Sequence, residues 1–189
     1  MNEAKRILLE EKIKQSAWWQ KANVTVDSHY DNTSGIMLSH HLLAVHYNVA
    51  IVFQHQNNTF YNRLFELLNY FGLTKETAEA ELKLIALLHD LGKLEEDKSI
   101  IIPHPITGKP AHKRHGLVSM MMATSILEKD LNDDEAARTR ILRTVELHDM
   151  SYGLFREFKQ TGQLPLAERW KRINDKINPT PGAGILYLL

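Results

Sequence analysis

Residues 36–56, IMLSHHLLAVHYNVAIVFQHQ, are apolar nearly all round the helical wheel. A helix of that kind is packed on several sides rather than laid on a surface, so the core of the fold is expected to close around it. Outward from this segment the chain keeps a helical period. Towards the N-terminus, residues 3–19 set Ala4, Ile7 and Leu8 against charged neighbours and read as a surface helix, followed by a polar loop over 27–35. Towards the C-terminus, helices are expected at 60–71 and 75–90, divided by Gly72 as a stop and Thr74 as an N-cap. Others are expected at 115–129, 134–148, 152–160 and 165–177, with Asp133 capping one and Pro165 starting another. Pro103, Pro105, Gly108 and Pro110 forbid a long regular element between 94 and 114, which reads as a loop able to act as a lid. Pro179, Pro181, Gly182 and Gly184 are expected to end helical structure before the apolar tail ILYLL, 185–189. No repeat and no long Val/Ile/Thr alternation demands a sheet. The expected fold is all-α: a single-domain helical bundle over residues 1–189, its motif-bearing core at about 36–177.

Composition narrows the chemistry. With 189 residues the chain is long enough to bury a sizeable core, and 43% apolar with 24% charged residues is a globular mix. Its formal net charge is zero, which gives no general attraction to nucleic acid or to an anionic membrane. There is no cysteine, so disulfides, thiolate nucleophiles and sulfur-ligated metal are all excluded. Without a signal-peptide core or a long apolar span, the expected location is the cytoplasm.

Metal-ligand residue types are nonetheless spread along the chain in a suggestive order: His41, the pair His89-Asp90, His115, His148 and Asp175. Imidazole and carboxylate together suit transition-metal ions. The pair lies in LLHDLGK, residues 87–93, where an apolar helix runs into His-Asp and is expected to stop at Gly92. Side chains that diverge by about 100° in mid-helix can converge where the last turn opens. His89 continues the stripe of Ala78, Leu82 and Ile85, and His148 that of Ile141 and Val145, so both rings are expected to point inward. In the 36–56 segment His41 shares a face with Leu38, Val45, Asn48 and Val52, and is preferred over His40 and His46. His115 opens a helix continued by Val118, Met122 and Ile126. Asp175, beside Lys171 and Arg172, rests on its place in the series. A single histidine on an apolar face is more often a hydrogen-bonded core residue than a ligand, but four histidines with two aspartates carry more weight.

The ordered series H…HD…H…H…D, with the strings LLHDLGK, RHG at 114–116, VELHD at 145–149 and RINDKI at 172–177, resembles the HD-domain superfamily of metal-dependent phosphohydrolases over roughly residues 36–177. The resemblance implies a metal site between helices, with His41, His89, Asp90 and Asp175 on one ion and Asp90, His115 and His148 on a second. The cofactor would be one or two divalent transition metal ions (Fe, Mn, Zn, Co or Ni). It implies cleavage of a phosphate ester or phosphodiester of a small molecule, a nucleotide being the favoured substrate, by a metal-activated hydroxide. Asp90 and Lys93 would be catalytic, and Lys93, Arg114 and Arg172 would meet phosphate charge. For Lys93, compensation of the helix C-terminus is an equal alternative. The same scaffold also carries di-iron oxygenases and, less favoured, a non-catalytic nucleotide-sensing module. No nucleic-acid or membrane partner is implied, and homodimer formation is left open.

Overall fold

Every residue from Leu84 to Leu88 is buried, within a helix (α5, Lys75–Leu88) whose Thr74 side chain caps the first turn by accepting from Thr77 N–H. Around it the computed structural model describes residues 1–28, 35–54, 58–95 and 115–189, and the backbone alone of 101–103 and 110–112. In chain order the other elements are α1 (Glu3–Gln15), α2 (Ala17–Ala22), α3 (Leu38–Gln54) and α4 (Thr59–Tyr70) before α5. A 3₁₀ turn (Leu91–Leu94), β1 (Ile101–Pro103), β2 (Pro110–His112), α6 (His115–Leu127), α7 (Glu135–Leu147), α8 (Tyr152–Thr161), α9 (Ala167–Ile177) and α10 (Ala183–Leu188) follow it. The fold is nearly all helical. The exception is an antiparallel pair of three-residue strands, Ile101 opposite His112 and Pro103 opposite Pro110, within the segment expected to be irregular.

The central helix is α5, not the 36–56 segment. Helices α1, α3, α4, α6 and α7 all pack against α5. Leu84, Leu87 and Leu88 have no exposed surface, each contributing about 1.5–3 kcal/mol by burial. Helix α3 instead buries one face, Leu38, Leu42, His46 and Val49, and leaves Tyr47 and Ile51 at least half exposed. Its wheel is a guide to apolarity, but among the described residues its main packing is on α5.

Other boundaries shift for local reasons. The expected helix 3–19 is two helices, because Ser16 takes extended backbone (φ −67°, ψ 153°) and its hydroxyl caps α2 by accepting from Trp19 N–H. Helix α7 is capped by Asp134 rather than Asp133: Asp134 Oδ1 accepts from Ala137 N–H, while Asp133 pairs with Lys5. The apolar tail is largely helical, since Gly182 supplies a left-handed turn (φ 79°) from which α10 starts again.

Two polar ties cross the core. Arg140 of α7 donates from Nε and Nη2 to the fully buried Glu81 of α5, at 2.9 and 2.6 Å. Glu10 of α1 receives Arg6 and the His46 ring of α3, the latter at 2.9 Å. Among the described residues no helix is long and apolar enough to cross a membrane.

Candidate metal centre

The site begins where α5 ends. His89 is the last residue in helical conformation (φ −58°, ψ −34°), its N–H bonded to Ile85 O; Asp90 then leaves the helix at φ −110°, ψ 8°. That change turns the two consecutive side chains together, with His89 Nε2 3.3 Å from Asp90 Oδ2. His89 Nδ1 lies 2.9 Å from the Ala86 carbonyl. A carbonyl only accepts, so Nδ1 carries the proton and Nε2 presents a lone pair. Gly92 does not act as a left-handed stop, because its φ is not positive. Its role is close approach: a Cβ there would stand 2.1 Å from His115 O and 2.7 Å from Ser119 N, and its N–H donates to Ser119 Oγ at 2.7 Å.

Close packing at Gly92 brings the start of α6 against the His-Asp pair. Gly116 does the same on the other side, where a Cβ would lie 2.5 Å from Glu146 O of α7. His115, first residue of α6, therefore meets both neighbours, its Nε2 3.2 Å from Asp90 Oδ1 and 3.1 Å from His148 Nε2. His148 caps α7 as His89 caps α5, with Nδ1 2.8 Å from Val145 O and Nε2 3.3 Å from Asp90 Oδ1. From the first turn of α3, His41 Nε2 lies 3.3 Å from both His89 Nε2 and Asp90 Oδ2. Two groups that could hold a metal ion result, His41–His89–Asp90 and Asp90–His115–His148, sharing the buried Asp90.

These residues fit a cation on grounds of charge. Burial would raise the Asp90 carboxyl, but the charge of His89 and the ring groups of His115, His148 and His41 outweigh it and hold Asp90 well below the ordinary carboxylate range. Burial pushes the His89 ring down, against the pull of Asp90. An anionic carboxylate is the form of Asp90 that ligation needs. Among the described residues, the buried Asp90 Oδ1 accepts no hydrogen bond of good geometry. Nε2 lone pairs converging within 3.1–3.3 Å repel one another unless a proton or a cation lies between them. Lys93 answers part of the negative charge, Nζ lying 2.6 Å from Asp90 Oδ2 and 3.5 Å from Asp27 Oδ1.

Of the six ligands expected, five meet. Asp175 does not: it is exposed on α9, outside both groups, where Ile173 and Ile177 are the residues turned inward against the body of the fold. Arg172 is likewise exposed on α9, and Lys93 is half-buried and ion-paired to Asp90. Arg114 and most of the expected lid, 94–114, lie outside the described residues. Of the competing histidines of α3, His46 is committed to Glu10, and His40 is exposed, its Nδ1 receiving Met37 N–H at 3.4 Å.

Two carboxylates at the site had no place in the series. Asp27 is buried, with Oδ2 3.6 Å from His41 Nδ1. It stands at the end of Val24-Thr25-Val26, an alternation too short to mark a strand, although Val26 does bridge Met37. Asp149 had a clearer signal, the second His-Asp dipeptide of the chain. Its side chain is 44% exposed and its Oδ2 lies 3.7 Å from His115 Nε2, so it marks the solvent side of the centre. Comparison with family models, curated proteins and solved structures returns no match to this chain.

Proposed function

We propose that the protein is a metal-dependent phosphohydrolase of the HD-domain type, acting on a phosphate ester or phosphodiester of a small molecule, with a nucleotide as the favoured substrate. The observation that carries the reading is the pair of His/Asp triads joined through one buried carboxylate, drawn from four helices far apart in sequence. His41, His89 and Asp90 would hold one ion, and Asp90, His115 and His148 the other. Ions bound there would supply Lewis acidity towards a phosphoryl oxygen and a nucleophilic hydroxide at neutral pH.

The chain's own groups provide the rest. Asp90, through its two oxygens, keeps the two halves at a set separation. The Nδ1–H bonds of His89 and His148 to backbone carbonyls orient both rings before any ligand arrives. Lys93 Nζ, already beside Asp90 Oδ2, is a cation within the centre that a phosphoryl oxygen can meet. Asp149, on the solvent side, would move a proton to or from a leaving oxygen.

The test is hydrolysis of a panel of phosphate monoesters, phosphodiesters and nucleotides by protein reconstituted separately with Mn, Fe, Co, Ni and Zn. Metal-dependent phosphate or alcohol release that falls at least about 100-fold in Asp90→Asn is expected. Oxygen uptake with an iron-loaded sample and no hydrolysis on the panel would move the protein to the oxygenases. Binding of a nucleotide without turnover would make it a sensing module.

A further inference from the structure

We propose that Asp27 is the positioning residue for His41, fixing that ring with its Nδ1 protonated and making the His41–His89–Asp90 triad the tighter of the two metal-binding halves. The inference rests on the metal reading above and extends it to a residue outside the ligand series.

His89 and His148 find an acceptor for Nδ1 in their own helix, because each stands at a helix C-terminus with a carbonyl three residues back. His41 stands instead where the helix's own N–H groups take up the carbonyls behind it, Met37 O already receiving the N–H groups of His40 and His41. From elsewhere in the fold, the Asp27 Oδ2 carboxylate oxygen faces His41 Nδ1, at 3.6 Å. That is an electrostatic contact rather than a closed hydrogen bond, yet it selects the tautomer: negative charge beside Nδ1 favours the proton there and leaves Nε2 as the lone pair, 3.3 Å from Asp90 Oδ2.

The carboxylate is built in rather than incidental. Asp27 is 1% exposed, and its backbone is pinned to the start of α3 by Asp27 N–H to Ile36 O, Leu38 N–H to Thr25 O and the Val26–Met37 bridge. Its other oxygen lies 3.5 Å from Lys93 Nζ, two residues beyond the end of the His-Asp segment's first turn residue Leu91. A buried carboxylate is costly unless paired, and the groups facing Asp27 include a metal-site imidazole and the cation beside Asp90. A carboxylate behind an imidazole raises its basicity more than a carbonyl does, and loss of such a partner typically weakens metal affinity about 10–100-fold. The His41 ring is thus backed by an anion where the His89 and His148 rings are backed by peptide carbonyls, an added hold on the half that His41 completes.

Long-range proton–nitrogen NMR on histidine-labelled, metal-free wild type should show His41 as the Nδ1–H tautomer; an Nε2–H tautomer overturns the proposal without any variant. Competition titration of Co²⁺ and Zn²⁺ against a chromophoric chelator should resolve two affinities in wild type. In Asp27→Asn the tighter one should weaken about 10–100-fold and the weaker one stay. In a His41→Ala background Asp27→Asn should add nothing. Unchanged affinities in a folded Asp27→Asn protein, or a full further loss on His41→Ala, overturn the role of Asp27 while leaving the metal reading intact. Wild type that binds neither ion overturns both.

Discussion

At residue 92 a single methyl group would collide with the chain that carries His115. The added carbon in Gly92→Ala would meet backbone atoms at 2.1 and 2.7 Å, not the flexible end of a side chain, so α6 has to move away from the His-Asp pair. Overpacking of that kind costs about 1–3 kcal/mol. We expect Gly92→Ala to lose that much in urea unfolding and to lose metal from the Asp90–His115–His148 half before the His41 half, as read by elemental analysis and Co²⁺ spectra. A variant that keeps both affinities would show that the close approach is dispensable. The same scale explains what could be read from residues alone. His89, His115 and His148 sit on apolar stripes or helix ends that the sequence displays, and they meet. Asp175 is exposed because the inward stripe of α9 runs through Ile173 and Ile177, two residues to either side of it and so on the opposite face. Asp27 was hidden because its burial comes from pairing with residues some ten positions on, which no local period records.

Among elements, helices and their order were legible, since capping residues and apolar periods act within a few residues. What packs on what was not. The apolar wheel of α3 suggested a central helix, whereas α5, with lysines and glutamates on its early turns, holds the centre; burial depends on neighbours supplied by distant parts of the chain. The tie between α1 and α3 gives a pH test at this scale. Burial raises the Glu10 carboxyl, but hydrogen bonds from His46 and Arg6 outweigh it and bring it below its ordinary value of 4.5. A carboxyl that is more acidic folded than unfolded contributes stability above its unfolded range and loses it as pH falls through the folded one. Glu10→Gln should therefore melt below wild type near neutrality, and the gap should close as pH drops from about 4.5 downward. A gap of constant size across that range, in melting curves of both proteins, would mean that Glu10 is held by packing rather than charge.

Over the whole molecule, the centre gathers ends. His89 and His148 close α5 and α7, His115 opens α6, and His41 lies in the first turn of α3. Helix ends are where a bundle frays first, so four elements have their least secure turns gathered at one point. An ion bound there and not to the unfolded chain would act as a rivet: at 100 times its dissociation constant it adds roughly 2.7 kcal/mol. For a chain of this size that is roughly 5–10 °C in melting temperature. Chelator-treated protein should melt lower by that order and recover on adding back an accepted ion; identical curves with and without chelator, on protein shown to carry metal, would refute the rivet. Heat resistance then becomes a gauge of occupancy, and ranking ions by the degrees each restores sorts those the fold accepts from those it refuses before any substrate has been found.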